Sequence, residues 1–203
     1  MSTVVYLRAL ADPSVTPCLA LVDLQQEYVA NRRLMAIPEA SIALEQCQMA
    51  LSHARAMGFP VAHFRQVSRS PFFNPATVFS GWIKGFEPTG AEMIFDRDKP
   101  SCYSNKSFAQ LMESCGGHFV LAGFAGETAC LSTVIDAYHR NHHFTYLSDA
   151  SASHELGKFS AENVQEAVAE IAGVYGEVLD TKSWIDTTSD VVAPARDLCN
   201  GQR

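Results

Sequence analysis

Three observations predict a three-layer α/β/α fold built on an open, mostly parallel, Rossmann-like sheet of six strands. Segments typical of strands and of helices alternate about six times along the chain. Two continuous apolar runs, Cys18–Val22 and residues 119–123, are typical of central strands that are covered on both faces. Residues 119–153 have the pattern strand, turn, helix, strand, which is a parallel crossover unit.

Length and composition indicate a single domain. The 203 residues, 47% of them apolar, are enough to form one domain with a sizeable core, but the chain is short for two domains. We therefore predict one domain over residues 1–203 with its core at about 17–185, preceded by a loosely attached arm at 1–16. The net charge is −7 and no basic block is present, which argues against a nucleic-acid partner.

The cysteines and the N-terminus predict a cytoplasmic location. Six cysteines form no C-x-x-C pair, a pattern that suits a reducing compartment. The first residues lack the basic start and the apolar core of a signal peptide. No apolar window has the length of a membrane span, so we expect no membrane partner.

The first half of the chain predicts two strands that flank a helix. The strand at Cys18–Val22 is followed directly by Asp23, and a second strand at 60–66 ends in Gln66. Between them, small and apolar residues recur at helical spacing over 38–57. Residues 67–90 carry proline, glycine and four phenylalanines without periodicity, which favours a pocket wall, a lid or a subunit contact.

The second half repeats the alternation of strands and helices. Ser160 has the position of a helix N-cap. The predicted strands lie at 93–95, 119–123, 144–147 and 177–185, and the predicted helices at 108–113, 129–140 and after Ser160.

Polar or reactive side chains follow three of the predicted strands. Asp23 follows the first strand, Arg97 and Lys99 follow the third, and Cys130 begins the helix after the fourth. In parallel α/β sheets the ligand crevice lies beyond the carboxyl ends of the strands. An acid, a cation and a thiol at that edge are a base, an electrostatic helper and a nucleophile for hydrolysis.

Three stretches resemble the isochorismatase-like hydrolases, a family that includes cysteine hydrolases such as nicotinamidases and carbamoylsarcosine amidases. They are LVDLQ at 21–25, PSCYSN at 100–105, which is similar to the family's Ser-Ala-Phe stretch, and the block that begins at Gly123. The resemblance spans about residues 17–185. It implies a hydrolase with a small-molecule substrate, no cofactor, and a homo-oligomeric state, either dimer or tetramer.

The resemblance also implies roles for single residues. The aspartate that matches Asp23 is a general acid or base in the family, and a lysine, for which Lys99 is our choice over Arg97, is catalytic. The family's nucleophilic cysteine falls on Ala129, so Cys130 comes one residue late. One residue turns a helical side chain by about 100°, although an irregular turn could still bring the Cys130 sulfur to the site.

The residues and the resemblance together leave three hypotheses open, of which two are hydrolytic mechanisms and one is ligand binding without catalysis. In the first, Asp23, Lys99 and Cys130 hydrolyse the C–N bond of an amide, and backbone N–H groups of the turn at 126–130 hold the oxyanion. In the second, Asp23 protonates an enol ether or activates water without a thiol, as in the isochorismatase branch. In the third, the chain binds its ligand without turnover. The residues expected to contact substrate are Gln66, Arg97, Ala125, Gly126 and Ala129.

The histidines raise the hypothesis of a metal site, because the chain has seven and His139 and His143 have helical i, i+4 spacing. The zinc-binding nicotinamidases carry an Asp-x-His pair after the second strand. In this sequence the corresponding residues, 63–66, read His-Phe-Arg-Gln and contain no Asp-x-His pair. We therefore predict no metal.

Overall fold

The computed structural model describes residues 17–38 and 40–189. The arm predicted at 1–16 lies outside the described residues. Six strands form one sheet in which every pairing is parallel. They are β1 (Cys18–Val22), β2 (Val61–Gln66), β3 (Met93–Arg97), β4 (His118–Phe124), β5 (His143–Ala152) and β6 (Glu177–Leu179).

The first strand of the chain, β1, lies at the centre of the sheet, and later strands are added on either side of β1 and β4. The strand order is β3-β2-β1-β4-β5-β6, so the first three strands run outward on one side and the last three on the other. Every residue of β1 is buried, as its uninterrupted apolar sequence predicts. Because all strands are parallel, their carboxyl ends meet at one edge, with the reversal of strand order between β1 and β4.

Helices cover both faces of the sheet, which confirms the predicted three-layer fold. They are α1 (Ala40–Met57), α2 (Lys106–Ser114), α3 (Leu131–His139), α4 (Ala161–Tyr175) and α5 (Thr181–Ser189). Leu19 and Leu21 of β1 join the apolar cluster under α1 and α5. The alternate residue Ala20 joins the cluster under α2, α3 and α4.

One predicted element is wrong in its second half. The strand expected at 177–185 ends at Leu179, and a helix begins at Thr181. Asp180 caps this helix, since its Oδ1 accepts the N–H of Ser183 at 2.7 Å. Trp184 then packs against Phe59, with 6.3 Å between the ring centroids. Within residues 17–38 and 40–189, no helix combines the length and the apolar character that a membrane crossing requires.

Candidate active site

A cavity of about 220 Å³ opens at the carboxyl edge of the sheet. The segments that follow β1, β3, β4 and β5 and the last residue of β2 all contribute to it. Its lining residues are Tyr28, Met35, Gln66, Arg97, Pro100, Ala125, Glu127, Thr128, Ala129 and His154. A larger groove of about 510 Å³ runs along α4, but Glu170 is the one charged residue that lines it. The smaller cavity, where several polar groups converge, is therefore the candidate active site.

Asp23 lies at the centre of this edge, directly after β1, and is fully buried. Its φ of 55° is in the left-handed region, which aspartate tolerates better than most residues. Gly123 of β4 pairs with Val22 and has a φ of 120°. A Cβ at Gly123 would lie 2.1 Å from the carbonyl oxygen of Val22, so only glycine allows β4 to approach β1 this closely.

The Asp23 carboxylate forms an ion pair with Arg97. Tyr28 Oη donates to Asp23 Oδ2 over 3.5 Å, while Asp23 Oδ1 forms no hydrogen bond with another described residue, although the nearby backbone N–H of Gln66 helps to lower the pKa of Asp23. Burial raises the pKa of Asp23 to about 6, against the opposing effect of the Arg97 charge. Arg97 lines the cavity, whereas Asp23 lies behind Arg97 and Tyr28.

The two candidate cations lie in different environments. Arg97 is buried at the end of β3, and its Nη1 donates to the carbonyl oxygen of Lys99 at 2.6 Å. Lys99 is exposed and does not line the cavity. The structure therefore brings Arg97 to Asp23 and leaves the Lys99 side chain outside.

Gln66, which we expected to contact substrate, lines the cavity at the end of β2. The buried side-chain amide of Gln25 holds its backbone. Gln25 Nε2 donates to the carbonyl oxygen of Gln66 at 3.0 Å, and Gln25 Oε1 accepts the N–H of Gln66 at 2.9 Å. Gln25 Nε2 also donates to the carbonyl oxygen of Ser80 at 2.9 Å. The Gln25 amide thereby joins the ends of β1 and β2 and the loop at 67–90.

The turn after β4 is a π-helical turn, Gly126–Cys130. The carbonyl oxygen of Ala125 accepts three backbone N–H groups, those of Thr128 at 3.2 Å, Ala129 at 2.9 Å and Cys130 at 3.3 Å. Three of the five N–H groups that we expected to hold an oxyanion, those of Thr128, Ala129 and Cys130, are thus engaged within the turn. Ala125 and Ala129 line the cavity, but Gly126 packs behind it against Gln165 and Ser153.

Cys130 does not face the cavity. Its side chain is fully buried among the apolar residues between the sheet and α2, α3 and α4, and its Sγ lies 3.8 Å from the carbonyl oxygen of Gly123. Burial raises the pKa of the Cys130 thiol well above its ordinary value, which opposes formation of a thiolate. The irregular turn therefore directs Ala129 to the cavity and the Cys130 sulfur to the core.

A pair that the sequence did not reveal forms the opposite side of the cavity. Glu127 Oε1 accepts a hydrogen bond from His154 Nδ1 at 2.7 Å, and the His154 ring packs 5.8 Å from that of Tyr28. The Glu127 hydrogen bond raises the pKa of His154. Glu127 follows β4 and His154 follows β5. Their positions after the ends of two neighbouring strands could have identified them as site residues from the sequence.

The histidines considered for a metal have other environments. His139 ends α3 and His143 begins β5, so their i, i+4 spacing does not lie on one helix. His63 pairs with Glu92 at 2.9 Å. Among residues 17–38 and 40–189, no group of three or more histidine, cysteine, aspartate or glutamate side chains is arranged to hold a metal ion.

Comparison with known proteins gives a family match and a set of similar folds. The isochorismatase domain family matches residues 17–183. No curated protein matches the chain. A cysteine hydrolase from Pseudomonas syringae pv. phaseolicola 1448A has a similar structure, with a TM-score of 0.80 and 21% identity over 89% of this chain and 95% of its own.

Two further solved structures have the same fold. An isochorismatase from Pseudomonas putida KT2440 has a TM-score of 0.77 and 23% identity, over 87% of this chain and 96% of its own. The N-carbamoylsarcosine amidase from Thermoplasma acidophilum has a TM-score of 0.67 and 20% identity, over 82% of this chain and 96% of its own. At these identities the similarity establishes the fold alone.

Proposed function

Because the chain belongs to the isochorismatase family of hydrolases, we propose that it hydrolyses a small molecule in the cavity at the strand ends without a cysteine nucleophile. The orientation of the turn at Gly126–Cys130 carries this proposal. Ala129 borders the cavity there, while the Cys130 thiol is enclosed in the core with a raised pKa. Of the two mechanisms that the sequence leaves open, the thiol-free one therefore has the better structural support.

Asp23 and Arg97 supply the chemistry of this mechanism. A carboxyl group with a pKa of about 6 can give or take a proton near neutral pH. Asp23 Oδ1 is buried and forms no hydrogen bond with another described residue, so it can bind a substrate atom once Arg97 is drawn aside. Because three of the turn amides are engaged, Arg97 is the cavity group that stabilises negative charge on the substrate. We expect substrate binding to draw Arg97 partly away from Asp23.

The substrate class follows from the cavity. Its volume of about 220 Å³ lies below the range of roughly 300–1,000 Å³ that is typical of drug-sized ligands, so the substrate is small. A carboxylate on the substrate would pair with Arg97. We favour small acids that carry an amide, because one structural neighbour is an amidase, and enol ethers are the second class to test.

A substrate screen with matched cysteine variants tests the proposal. Small amides and enol ethers that carry a carboxylate are incubated with the protein, and product formation is followed by NMR. Cys130→Ala is expected to keep the rate within about threefold of wild type, whereas Asp23→Asn loses about 100-fold because a proton-transfer group is removed. Cys18→Ala, which removes another buried thiol, is the control.

The other outcomes distinguish the alternatives. A loss of about 100-fold in Cys130→Ala, with Cys18→Ala unchanged, would support the amide hydrolysis by Asp23, Lys99 and Cys130 instead. Binding of a panel compound without product formation would support a ligand-binding protein. The cytoplasmic location and the dimeric or tetrameric state stay predictions, the second of which sedimentation velocity measures directly.

A further inference from the structure

We propose that Glu127 is the base that activates the attacking water and that His154 is its positioning partner. This inference rests on the proposed thiol-free hydrolysis and adds a second carboxyl group to it. Among the described residues that line the cavity, Glu127 carries the one carboxylate, because Asp23 is enclosed behind Arg97 and Tyr28. A base must reach the water that it deprotonates, and Glu127 is the carboxylate in contact with the cavity.

His154 fixes both oxygens of the Glu127 carboxylate. The ring Nδ1 donates to Oε1 at 2.7 Å, and the backbone N–H of His154 donates to Oε2 at 3.3 Å. The Glu127 side chain is 7% exposed and that of His154 is 18% exposed, so solvent competes little for these bonds. Each carboxylate oxygen retains a further lone pair for a water molecule.

The partners of the His154 ring define its charge. Nδ1 faces the Glu127 carboxylate, and Nε2 lies 3.0 Å from the carbonyl oxygen of Met35. Both partners are acceptors, so both ring nitrogens must donate, and only the imidazolium form has two N–H groups. The other group that faces the ring is Tyr28, whose hydroxyl donates to Asp23.

The turn after β4 holds Glu127 close to the position of the water. Glu127 is the second residue of the π-helical turn Gly126–Cys130, whose later N–H groups converge on the Ala125 carbonyl oxygen. Ala129, two residues further on, presents only a methyl group to the cavity. The carboxylate and this small side chain leave room for a water beside the substrate.

The reaction step balances with the groups present. The water oxygen forms a bond to the electrophilic carbon of the substrate, and its proton passes to Glu127. The bond from that carbon to the leaving group breaks, and the leaving group takes a proton from Asp23, which the substrate reaches by drawing Arg97 aside and which is protonated below its pKa of about 6. Solvent then returns the Glu127 proton to Asp23, so one water is consumed and the protein is regenerated.

Hydrolysis of 4-nitrophenyl acetate isolates the water-activation step, because 4-nitrophenolate departs without a proton. Glu127→Gln is expected to lower kcat by about 100-fold, whereas Asp23→Asn has a smaller effect on this ester than on the amide substrate. Glu155→Gln, which changes an exposed acid in the segment after His154, is expected to match wild type. In Glu127→Ala, added formate should restore part of the rate, a response that a purely structural residue would not give.

His154→Gln is a second variant in case the Glu127 substitutions impair folding, which thermal melting monitors. It keeps the base and removes the imidazolium, so we expect a loss of about tenfold with formate having no effect. An active wild type together with Glu127→Gln within threefold of it, or with Glu127→Ala unresponsive to formate, overturns this inference alone. An inactive wild type on the ester, the amides and the enol ethers overturns the proposed function and this inference with it.

Discussion

Asp23 combines three features that each cost folding free energy. Its backbone has a positive φ of 55°, its carboxylate is fully buried, and Oδ1 forms no hydrogen bond with another described residue. A strained backbone and an unpaired buried oxygen cost of order 1–3 kcal/mol each. Such features persist where function requires them, and here the Arg97 charge offsets part of the cost.

The identity of the catalytic cation is testable with two variants of one segment. Arg97→Gln removes the charge that contacts Asp23, so we expect hydrolysis to fall by about 100-fold or more. Lys99→Ala removes an exposed side chain outside the cavity, so we expect a rate within about twofold of wild type. Steady-state kinetics on the amide found by the screen measures both.

The opposite result for the two variants would identify Lys99 as the catalytic cation. A large loss in Lys99→Ala with Arg97→Gln active would show that the Lys99 side chain turns inward when substrate binds. The variants share a strand end, so thermal melting of each separates a kinetic effect from loss of the fold. Arg97→Lys adds a test of geometry, since lysine keeps the charge and loses the planar fork of donors.

At the scale of secondary structure, the two central strands β1 and β4 were predictable because they are buried on both faces. Cys18–Val22 and 119–123 are uninterrupted apolar runs, and a run of this kind has few alternatives to a central strand. Residues 180–185 were not predictable in this way. The helix there depends on the Asp180 cap and on Trp184 packing, and the second of these is a tertiary contact.

The site was predictable in part for the same reason. Asp23 directly follows β1 and Arg97 is the last residue of β3, and parallel strands bring their ends together. The direction of the Cys130 side chain was open, because it depends on a π-helical turn that no local pattern indicates. The Glu127 and His154 pair was missed because its members are 27 residues apart and meet only across two neighbouring strands.

The close packing of the turn after β4 predicts a sharp difference between two glycines. A Cβ at Gly126 would lie 2.5 Å from Gln165 Oε1 and 2.6 Å from Ser153 Oγ, whereas a Cβ at Gly173 in α4 would meet nothing nearer than 3.8 Å. We expect Gly126→Ala to destabilise the protein by about 1–3 kcal/mol. Gly173→Ala should stabilise it by about 0.4–1 kcal/mol, because alanine favours the helix.

Urea unfolding of both variants measures the two changes in free energy. Gly126→Ala should also reduce hydrolysis beyond its effect on stability, since it displaces the turn that carries Glu127 and Ala129. Equal stability of the two alanine variants would contradict the packing described for the turn. Normal hydrolysis by Gly126→Ala would mean that the turn tolerates displacement.

At the scale of the whole molecule, the cavity is built from segments that are distant in sequence and follow several strands of the sheet. The Asp23 and Arg97 ion pair joins residues 74 positions apart, and the contact between His154 and Met35 joins residues 119 positions apart. Closing such long loops costs entropy that local structure does not recover. Stability of the site and stability of the fold are therefore coupled, and protonation at the site should affect global unfolding.

The free energy of unfolding should depend on pH through His154. Its pKa is raised in the folded protein, chiefly by the hydrogen bond to Glu127, so the folded state binds this proton more tightly than the unfolded chain. The stabilisation is fully present below the ordinary imidazole pKa of about 6.5 and is lost as the pH rises through the raised value. Wild type should therefore exceed Glu127→Gln in stability by more at about pH 6 than at about pH 9.

Urea unfolding at both pH values gives this difference. Asp23 also titrates differently in the folded state, but it is present in both proteins, so its contribution cancels in the comparison. Glu155→Gln should show the same pH dependence as wild type, because Glu155 is exposed. A wild-type advantage of equal size at both pH values would mean that the Glu127 contact does not depend on the His154 proton. The assignment of a cationic His154, which the proposed water activation requires, would then be wrong as well.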